Sequence, residues 1–455
     1  MSEIKNKNVL IIGSGKEGLS AANYLGNANE VSMYDDKPRN QIDQTFFKNL
    51  RVKNVNFYFG SNLPKNVKFD LVVRSPGVRP DHPHIKKLIK SGAILTSTTK
   101  LFFDHCPCPI IGVTGTKGKG TTATLIYEML KTKFSHVFLA GNIGTPMLDI
   151  LPKLNPTSLV VLELSSFQLI DLTKSPHIAV VLMITSEHLD WHKDELEYQK
   201  AKQSIVQYQN KEDLAVINYD FPKSKEFYKL TPAKIYFFST LQKTAGTYIE
   251  NNQIISEVEN HRDIVTGLDK ILLPGAHNLQ NILAATAVAK IHKVSNENIA
   301  KVLSTFKGLK HRLQLVKKVR GVSYYNDSFS SIPETTIAAI AALPGPKILI
   351  LGGSSKKSNF THLAQKISAD HTIKTIIVIG QESLPIVTAV KKVGFAGKII
   401  QGAKNMHQIV QLAQKMASRG DTVLMSPACA SFDMFKNYQN RGDQFEKEVE
   451  RLNYG

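Results

Sequence analysis

Apolar residues along this chain fall in short unbroken runs more often than in strict alternation. Residues 8–12, 31–34, 69–73 and 93–95 form one set of runs. Residues 109–113, 137–139, 159–162, 178–184, 214–217 and 235–238 form a second, and 347–353, 375–380, 397–400 and 421–427 a third. Between the runs, apolar residues recur at three- and four-residue spacing, as at Leu19, Ala22 and Leu25 or at Leu125, Ile126, Met129 and Leu130. Runs apolar on both faces predict parallel strands covered by helices on both sides. The third set carries no hairpin signal, so the whole reads as three α/β units in series. The boundaries fall at 1–98 for a Rossmann-like N-terminal domain, 99–310 for a central phosphate-loop domain and 311–455 for a Rossmann-like C-terminal domain. Residues 194–208 predict a helix with Tyr198 and Lys202 on one face. Residues 243–269 read as a polar excursion of short strands, and Asn278 as the N-cap of a long alanine-rich helix.

The densest chemistry lies at the end of the run 109–113. There the strand stops at Thr114, Gly115, Thr116, Lys117, Gly118, Lys119, Gly120 and Thr121, and helical spacing starts directly afterwards. Backbone amides converging at a helix N-terminus hold phosphate. Lys119 is placed to reach the outer phosphates, and a nearby hydroxyl can bind Mg²⁺. The strict Gly-x-x-x-x-Gly-Lys-Ser/Thr pattern is broken twice, because Val113 stands at the first glycine and Gly120 follows the lysine; Thr121 is the nearest hydroxyl.

A second glycine turn, Gly13-Ser14-Gly15-Lys16-Glu17-Gly18, follows the first strand, and the next strand ends in Asp35-Asp36. That arrangement fits a dinucleotide such as NAD or any other diphosphate ligand. Polar groups also sit at further strand ends: Arg74-Ser75-Pro76-Gly77, Glu163-Leu164-Ser165-Ser166 and Glu187-His188-Leu189-Asp190. Open α/β sheets place their ligands there.

Composition changes this picture little. Hydrophobic content of 42% and charged content of 21% are those of an ordinary globular chain. The net charge of +19 is spread along the sequence rather than gathered in an arm, so it reads as solvated surface with a bias toward phosphorylated ligands, not as a nucleic-acid binder. Three cysteines, Cys106, Cys108 and Cys429, form no disulfide framework and no zinc spacing, and Glu187-His188 with His192 is not a His-Glu-x-x-His site. No run approaches the roughly 18 apolar residues of a membrane span, and the start of the chain carries no signal segment. A cytoplasmic protein without membrane insertion is expected.

Taken together, the motifs resemble those of the Mur ligases. Thr114-Gly115-Thr116-Lys117-Gly118-Lys119, Gly141-Asn142-Ile143-Gly144, Glu163-Leu164-Ser165-Ser166-Phe167-Gln168-Leu169, His188-Leu189-Asp190, Gly275-Ala276-His277-Asn278 with Asn281, His311-Arg312, Asn326-Asp327-Ser328 and Ser426-Pro427-Ala428-Cys429-Ala430-Ser431 follow in that family's order. The resemblance covers essentially the whole chain and is strongest to the branch that joins D-glutamate to UDP-N-acetylmuramoyl-L-alanine in peptidoglycan synthesis. It implies the three-domain Mur ligase architecture, ATP and two Mg²⁺ ions as cofactors, an acyl-phosphate intermediate and a monomer. Lys119, Asn142, Glu163, His188 and Lys202 are implied as catalytic residues. Thr121, Glu163, His188 and Lys202 would hold the metal, Lys202 as a carbamate. Gly115 to Thr121, Asn281 (adenine), Arg312 (phosphates) and Asp327 (ribose) would bind ATP, with the third domain closing over the second. Ser14, Gly15, Lys16, Glu17, Asp35, Ser75 and Gly77 would line the UDP end of the substrate, and Lys356, Ser431 and Tyr438 the amino acid.

The match has departures. Where that branch usually carries Asp-Ser-Lys-Ala-Thr, this chain has Asp327-Ser328-Phe329-Ser330-Ser331. Tyr438 replaces a usual Phe, and Glu187 a usual Asp. The phosphate loop is itself close to that of folylpolyglutamate synthase, a relative that also forms an acyl phosphate. The alternatives are a related ligase for L-glutamate or another amino acid, folylpolyglutamate synthase, and an NAD-dependent oxidoreductase built on the first glycine turn.

Overall fold

The computed structural model describes residues 4–60, 63, 67–259, 261–355 and 358–452. The chain divides into two compact units, 1–270 with 279–303, and 271–278 with 304–455. Among the described residues no helix is long and apolar enough to cross a membrane, and the three cysteines are free thiols.

The first unit contains two sheets. In the N-terminal one, β1 (Asn8–Ile12), β2 (Glu30–Asp35), β3 (Asn56–Phe59), β4 (Leu71–Arg74) and β5 (Ile94–Ser97) run parallel in the order β3-β2-β1-β4-β5. The order reverses at β1 and β4, so the turns after these two strands meet at the crevice. The sequence reading did not place β3 or the helix Gln44–Asn49 before it. Both are half-buried, held by Phe57 stacked on Phe59 at 5.9 Å with Phe47 against their edges.

The second sheet has nine strands: β6 (Ile110–Thr114), β7 (Val137–Gly141), β8 (Leu159–Glu163), β9 (Ile178–Val181), β10 (Leu214–Asn218), β11 (Lys234–Ser239), β12 (Gly246–Glu250), β13 (Gln253–Val258) and β14 (His261–Gly267). Their order is β14-β13-β12-β11-β10-β9-β6-β8-β7. β6, β8 and β9 are buried along their whole length, as their unbroken apolar runs require. The polar excursion is the antiparallel pairing of β12, β13 and β14. The apolar run expected as one strand over 178–184 leaves the ladder after Val181. Leu182 N–H then donates to Thr114 O at 2.9 Å, and Met183 O accepts from Thr116 N–H at 2.7 Å. Its last residues thus form a wall of the phosphate loop.

The second unit holds one six-stranded sheet: β15 (Gln314–Val319), β16 (Val322–Asn326), β17 (Lys347–Gly352), β18 (Ile373–Ile379), β19 (Lys398–Ile400) and β20 (Thr422–Met425), ordered β15-β16-β20-β17-β18-β19. Contrary to the reading without hairpins, β15 and β16 are antiparallel neighbours. Their turn has positive φ at both Arg320 (51°) and Gly321 (80°), the backbone of an Asn-Gly hairpin, and an arginine in the first position hid the signal. Asn278 is also not an N-cap. The helix Ala276–Ile291 begins two residues earlier, and the Asn278 amide donates to Pro274 O at 2.6 Å from inside the first turn.

Candidate active site

Three strand ends of the nine-stranded sheet lie in register. Val113 on β6 is opposite Glu163 on β8, which is opposite Gly141 on β7. The loop from Gly115 to Gly118 leaves β6 here and enters the helix Lys119–Lys131 through Gly118, whose φ is +86°. A side chain at Gly118 would place its Cβ 2.1 Å from Asn281 Oδ1, so both conformation and space demand glycine. Lys119 folds back over the loop, its Nζ donating to Gly115 O and Thr116 O at 3.0 Å each. Thr116 is the hub beneath: its hydroxyl oxygen accepts from Thr185 N–H and from the Tyr198 hydroxyl, both at 2.9 Å. Thr121 sits in the first turn of the helix, while the Lys117 ammonium is paired with Glu187.

Lys202 approaches from the helix Glu195–Gln207, which Asp194 caps by accepting from Glu197 N–H. It is 1% exposed. Its Nζ donates to Gly115 O at 3.0 Å and Thr114 Oγ1 at 3.3 Å, and lies 4.8 Å from the centre of the Tyr198 ring. Two lysines therefore share one carbonyl acceptor. Burial, reinforced by the Lys119 charge, pushes the Lys202 amine well below the ordinary lysine value, against the weaker pull of Glu187 and Glu163. The site therefore disfavours the charged ammonium relative to water.

Glu163 is 3% exposed. Its Oε1 accepts from the Asn142 amide at 2.8 Å, and Asn142 N–H returns a bond to Glu163 O at 2.9 Å. Its Oε2 is buried and has no hydrogen-bond partner among the described residues. A buried carboxylate oxygen left open beside a phosphate loop suits a hard cation, and the oxygen donors here fit Mg²⁺.

His188 lies on a loop rather than a helix and has a left-handed backbone, φ 58°, uncommon for a residue with a side chain. Its ring stands 4.9 Å from that of Phe167. Desolvation holds the imidazole below its usual pKa, with Glu187 and Asp190 opposing and Lys119 adding to the fall, so the ring is mainly neutral near pH 7. His192 does not join it. That ring is buried between Ser166 Oγ (2.8 Å) and Glu197 Oε2 (3.3 Å) and has a structural part. The loop is pinned from the N-terminal sheet: Trp191 Nε1 donates to Gly77 O at 2.9 Å, and the Arg79 guanidinium makes a two-pronged pair with Glu197 at 2.9 and 3.0 Å while covering the Trp191 ring. Arg74, fully buried, reaches Asp171 and Phe167 O in the same way. Sequence marks Arg74 as a strand-end polar group but reveals neither arginine's partner, which lies about a hundred residues away along the chain.

In the first glycine turn, Ser14 donates through N–H (2.8 Å) and Oγ (2.5 Å) to Asp35 Oδ2. Ser75 Oγ donates to Gly13 O at 3.1 Å, bringing the β1 and β4 turns together. Gly15 and Lys16 are exposed. Glu17 is different: burial raises its pKa to about 7, with Thr98 opposing and Asp149 adding to the rise. Between 4.5, its unperturbed value, and about 7, the folded chain keeps a proton that the unfolded chain loses. Stability therefore falls as pH rises through that window, by roughly 3 kcal/mol at most. Glu17→Gln is expected to flatten this slope, measured by denaturant unfolding at about pH 5 and about pH 8. An unchanged slope would show that Glu17 ionises normally.

In the second unit, Asp327 is enclosed. It accepts from Leu313 N–H at 3.0 Å and Ser426 Oγ at 2.7 Å, and burial lifts its pKa to about 6. Ser431 is buried, Tyr438 is half-buried at the start of the helix Tyr438–Glu450, and Lys356 lies outside the described residues. Arg441, overlooked in the sequence, is 0% exposed and clamps the strand ends. It donates to Ser328 Oγ (2.9 Å), Ser328 O (2.9 Å), Cys429 O (3.2 Å) and Ala430 O (3.1 Å). His311, Asp443 and Glu446 gather closely enough to suggest a metal group. However, His311 Nδ1 accepts from the Asn326 amide at 3.0 Å, so Nε2 carries the ring proton toward Asp443, and both carboxylates already meet Lys310.

Parallel sheets with a lysine-bearing phosphate loop, a half-satisfied buried carboxylate and a second glycine turn define an α/β enzyme that acts on nucleoside-phosphate substrates. The chain belongs to the Mur ligase family. Residues 7–97 match the Mur ligase MurD-like N-terminal domain, 113–289 the Mur ligase middle domain and 311–429 the Mur ligase glutamate ligase domain. The UDP-N-acetylmuramoylalanine–D-glutamate ligases of Acetivibrio thermocellus and Clostridium tetani are each 37% identical, across 99% of this chain and 97% and 98% of theirs. That of Clostridioides difficile is 36% identical, across 99% of this chain and all of its own. Among solved structures, MurF of Acinetobacter baumannii has a TM-score of 0.62 at 16% identity, covering 97% of this chain and 93% of its own. UDP-N-acetylmuramate-alanine ligase MurC of Thermotoga maritima has a TM-score of 0.60 at 16% identity, covering 98% and 99%. These two share the fold.

Proposed function

We propose that the chain is an ATP-dependent ligase that adds D-glutamate to UDP-N-acetylmuramoyl-L-alanine in the cytoplasmic stage of peptidoglycan synthesis, working as a monomer. The observation that carries this reading is full-length similarity to D-glutamate ligases at 36–37% identity. The N-terminal match over 7–97 favours UDP over a nicotinamide dinucleotide at the first glycine turn. We read the domain limits as 1–98, 99–310 and 311–455, a reading supported by matched segments at 7–97, 113–289 and 311–429.

In this reaction the alanyl carboxylate takes the γ-phosphoryl group of ATP, releasing ADP. The amine of D-glutamate then attacks the acyl phosphate, and the tetrahedral intermediate collapses to amide and phosphate. Bringing an anion to a polyanion requires charge neutralisation and alignment. Lys119 supplies the charge, and its fold over Gly115 and Thr116 marks where the phosphates would replace those carbonyls as its partners. Asn142 holds one oxygen of Glu163 and so aims the other. Thr121, Glu163, His188 and a carbamylated Lys202 would hold two Mg²⁺ ions, which neutralise phosphate charge when bound. Asn281 is read as the adenine contact, Arg312 as a phosphate contact and Asp327 as the ribose contact. Ser14, Gly15, Lys16, Glu17, Asp35, Ser75 and Gly77 face the UDP end of the substrate, and Ser431 and Tyr438 the incoming amino acid.

The test is phosphate release from ATP and Mg²⁺ with UDP-N-acetylmuramoyl-L-alanine, adding D-glutamate, L-glutamate or other amino acids singly. Release with D-glutamate alone is expected. Release with a different amino acid would keep the mechanism and reassign the acceptor, and silence with all of them would overturn the reading.

A further inference from the structure

Phe329, which stands where the related branch usually carries lysine, faces Arg312. The Arg312 guanidinium carbon lies 3.8 Å from the centre of the Phe329 ring. Tyr438, another of the departures, meets that ring edge-on at 5.2 Å and 84°. The two departures are therefore in contact and form one device.

The surrounding backbone is built to present Arg312. It sits between two left-handed residues, His311 at φ 65° and Leu313 at φ 46°, neither a glycine. Such conformations persist only where neighbours enforce them. Here Phe329 N–H donates to His311 O at 2.9 Å, Leu313 N–H to Asp327 Oδ1 at 3.0 Å and His311 N–H to Gln314 Oε1 at 2.8 Å. On the other side, Ser328 is held by Arg441 and donates its hydroxyl to Tyr438 O at 2.8 Å, which fixes the residue just before the ring. Phe329 itself is 39% exposed, so packing alone does not explain a phenylalanine there. A lysine in its place would bring a second cation against the guanidinium.

We propose that Phe329 is a positioning residue for Arg312: its ring, propped by Tyr438, covers one face of the guanidinium and leaves the in-plane N–H donors directed at a nucleotide phosphate. Stacking uses the face of an arginine and phosphate recognition uses its edge, so one does not compete with the other. This rests on the reading of Arg312 as a phosphate contact.

The test measures binding of the magnesium complex of a non-hydrolysable ATP analogue, together with KM for ATP and kcat, in the parent chain and in Phe329→Leu, Phe329→Trp, Arg312→Ala and the double variant Arg312→Ala with Phe329→Leu. Phe329→Leu is expected to weaken analogue binding and raise KM for ATP by about three- to thirty-fold, with melting temperature and KM for the amino acid near parent values. Phe329→Trp should stay within about twofold of the parent, since it preserves the stack. On the Arg312→Ala background the leucine substitution should add nothing. A parent-like Phe329→Leu beside a weakened Arg312→Ala would overturn the positioning role alone, as would an equal loss on both backgrounds. A parent-like Arg312→Ala would overturn the phosphate-contact reading and the positioning role with it.

Discussion

Replacing Lys202 by alanine is expected to lower ATP-dependent phosphate release by about 10²- to 10³-fold while leaving the fold intact. The amine is buried, shares the Gly115 carbonyl with Lys119 and is held well below its ordinary pKa. A neutral amine is the form that adds CO₂, giving a carbamate and releasing one proton. A carbamate at Lys202 would turn a potential cation beside Lys119 into an anion, and with Glu163 it would supply oxygen donors for Mg²⁺. Carbamate occupancy should rise with CO₂ and with pH, and labelled CO₂ should give a carbamate resonance in the parent protein that the alanine variant lacks. Adding a short carboxylate such as formate should restore part of the variant's activity. Full activity without any addition would remove Lys202 from the chemistry. The depressed pKa also has a stability consequence for the unmodified lysine. Between the depressed folded-state pKa and the ordinary lysine value the unfolded chain binds the proton and the folded chain does not, so stability rises with pH across that window.

Lys119→Ala is expected to reduce ATP turnover by about 10³-fold or more, with circular dichroism and melting temperature close to those of the parent. The lysine is half-buried and donates to the carbonyls of Gly115 and Thr116, and its removal leaves Thr116 anchored by Met183, Thr185 and Tyr198. Near-parent turnover would exclude the phosphate loop from the reaction. The arginine variant separates charge from geometry: it restores the charge but brings a planar fork where a point charge reaches between phosphates. Poor rescue by arginine is therefore expected.

Much of the candidate site could be read in the chain because it sits at strand ends. An apolar run that stops at glycine and a hydroxyl states both where the strand ends and what chemistry the end offers, as at Gly115–Thr121, Glu163 and Ser14–Asp35. The misreadings have local causes. Asn278 looked like a cap because its residue type suits one, but the positive φ of Gly275 starts the helix earlier. The β15–β16 hairpin was missed because an arginine adopts the conformation that asparagine usually supplies.

The sequence by itself determined the succession of strands and helices, the parallel sheets they form and the residues offered at the strand ends, because hydrophobic periodicity and turn chemistry are properties of neighbours in the chain. Only the tertiary structure decided that Lys202 is buried under the loop of Lys119, that one oxygen of Glu163 is left open, that Arg79 and Trp191 pin the His188 loop and that Phe329 faces Arg312. Burial, shared acceptors and stacked faces depend on groups brought together from distant positions. A lysine on a helix and a phenylalanine in a turn therefore carry no mark of their surroundings until the chain has folded.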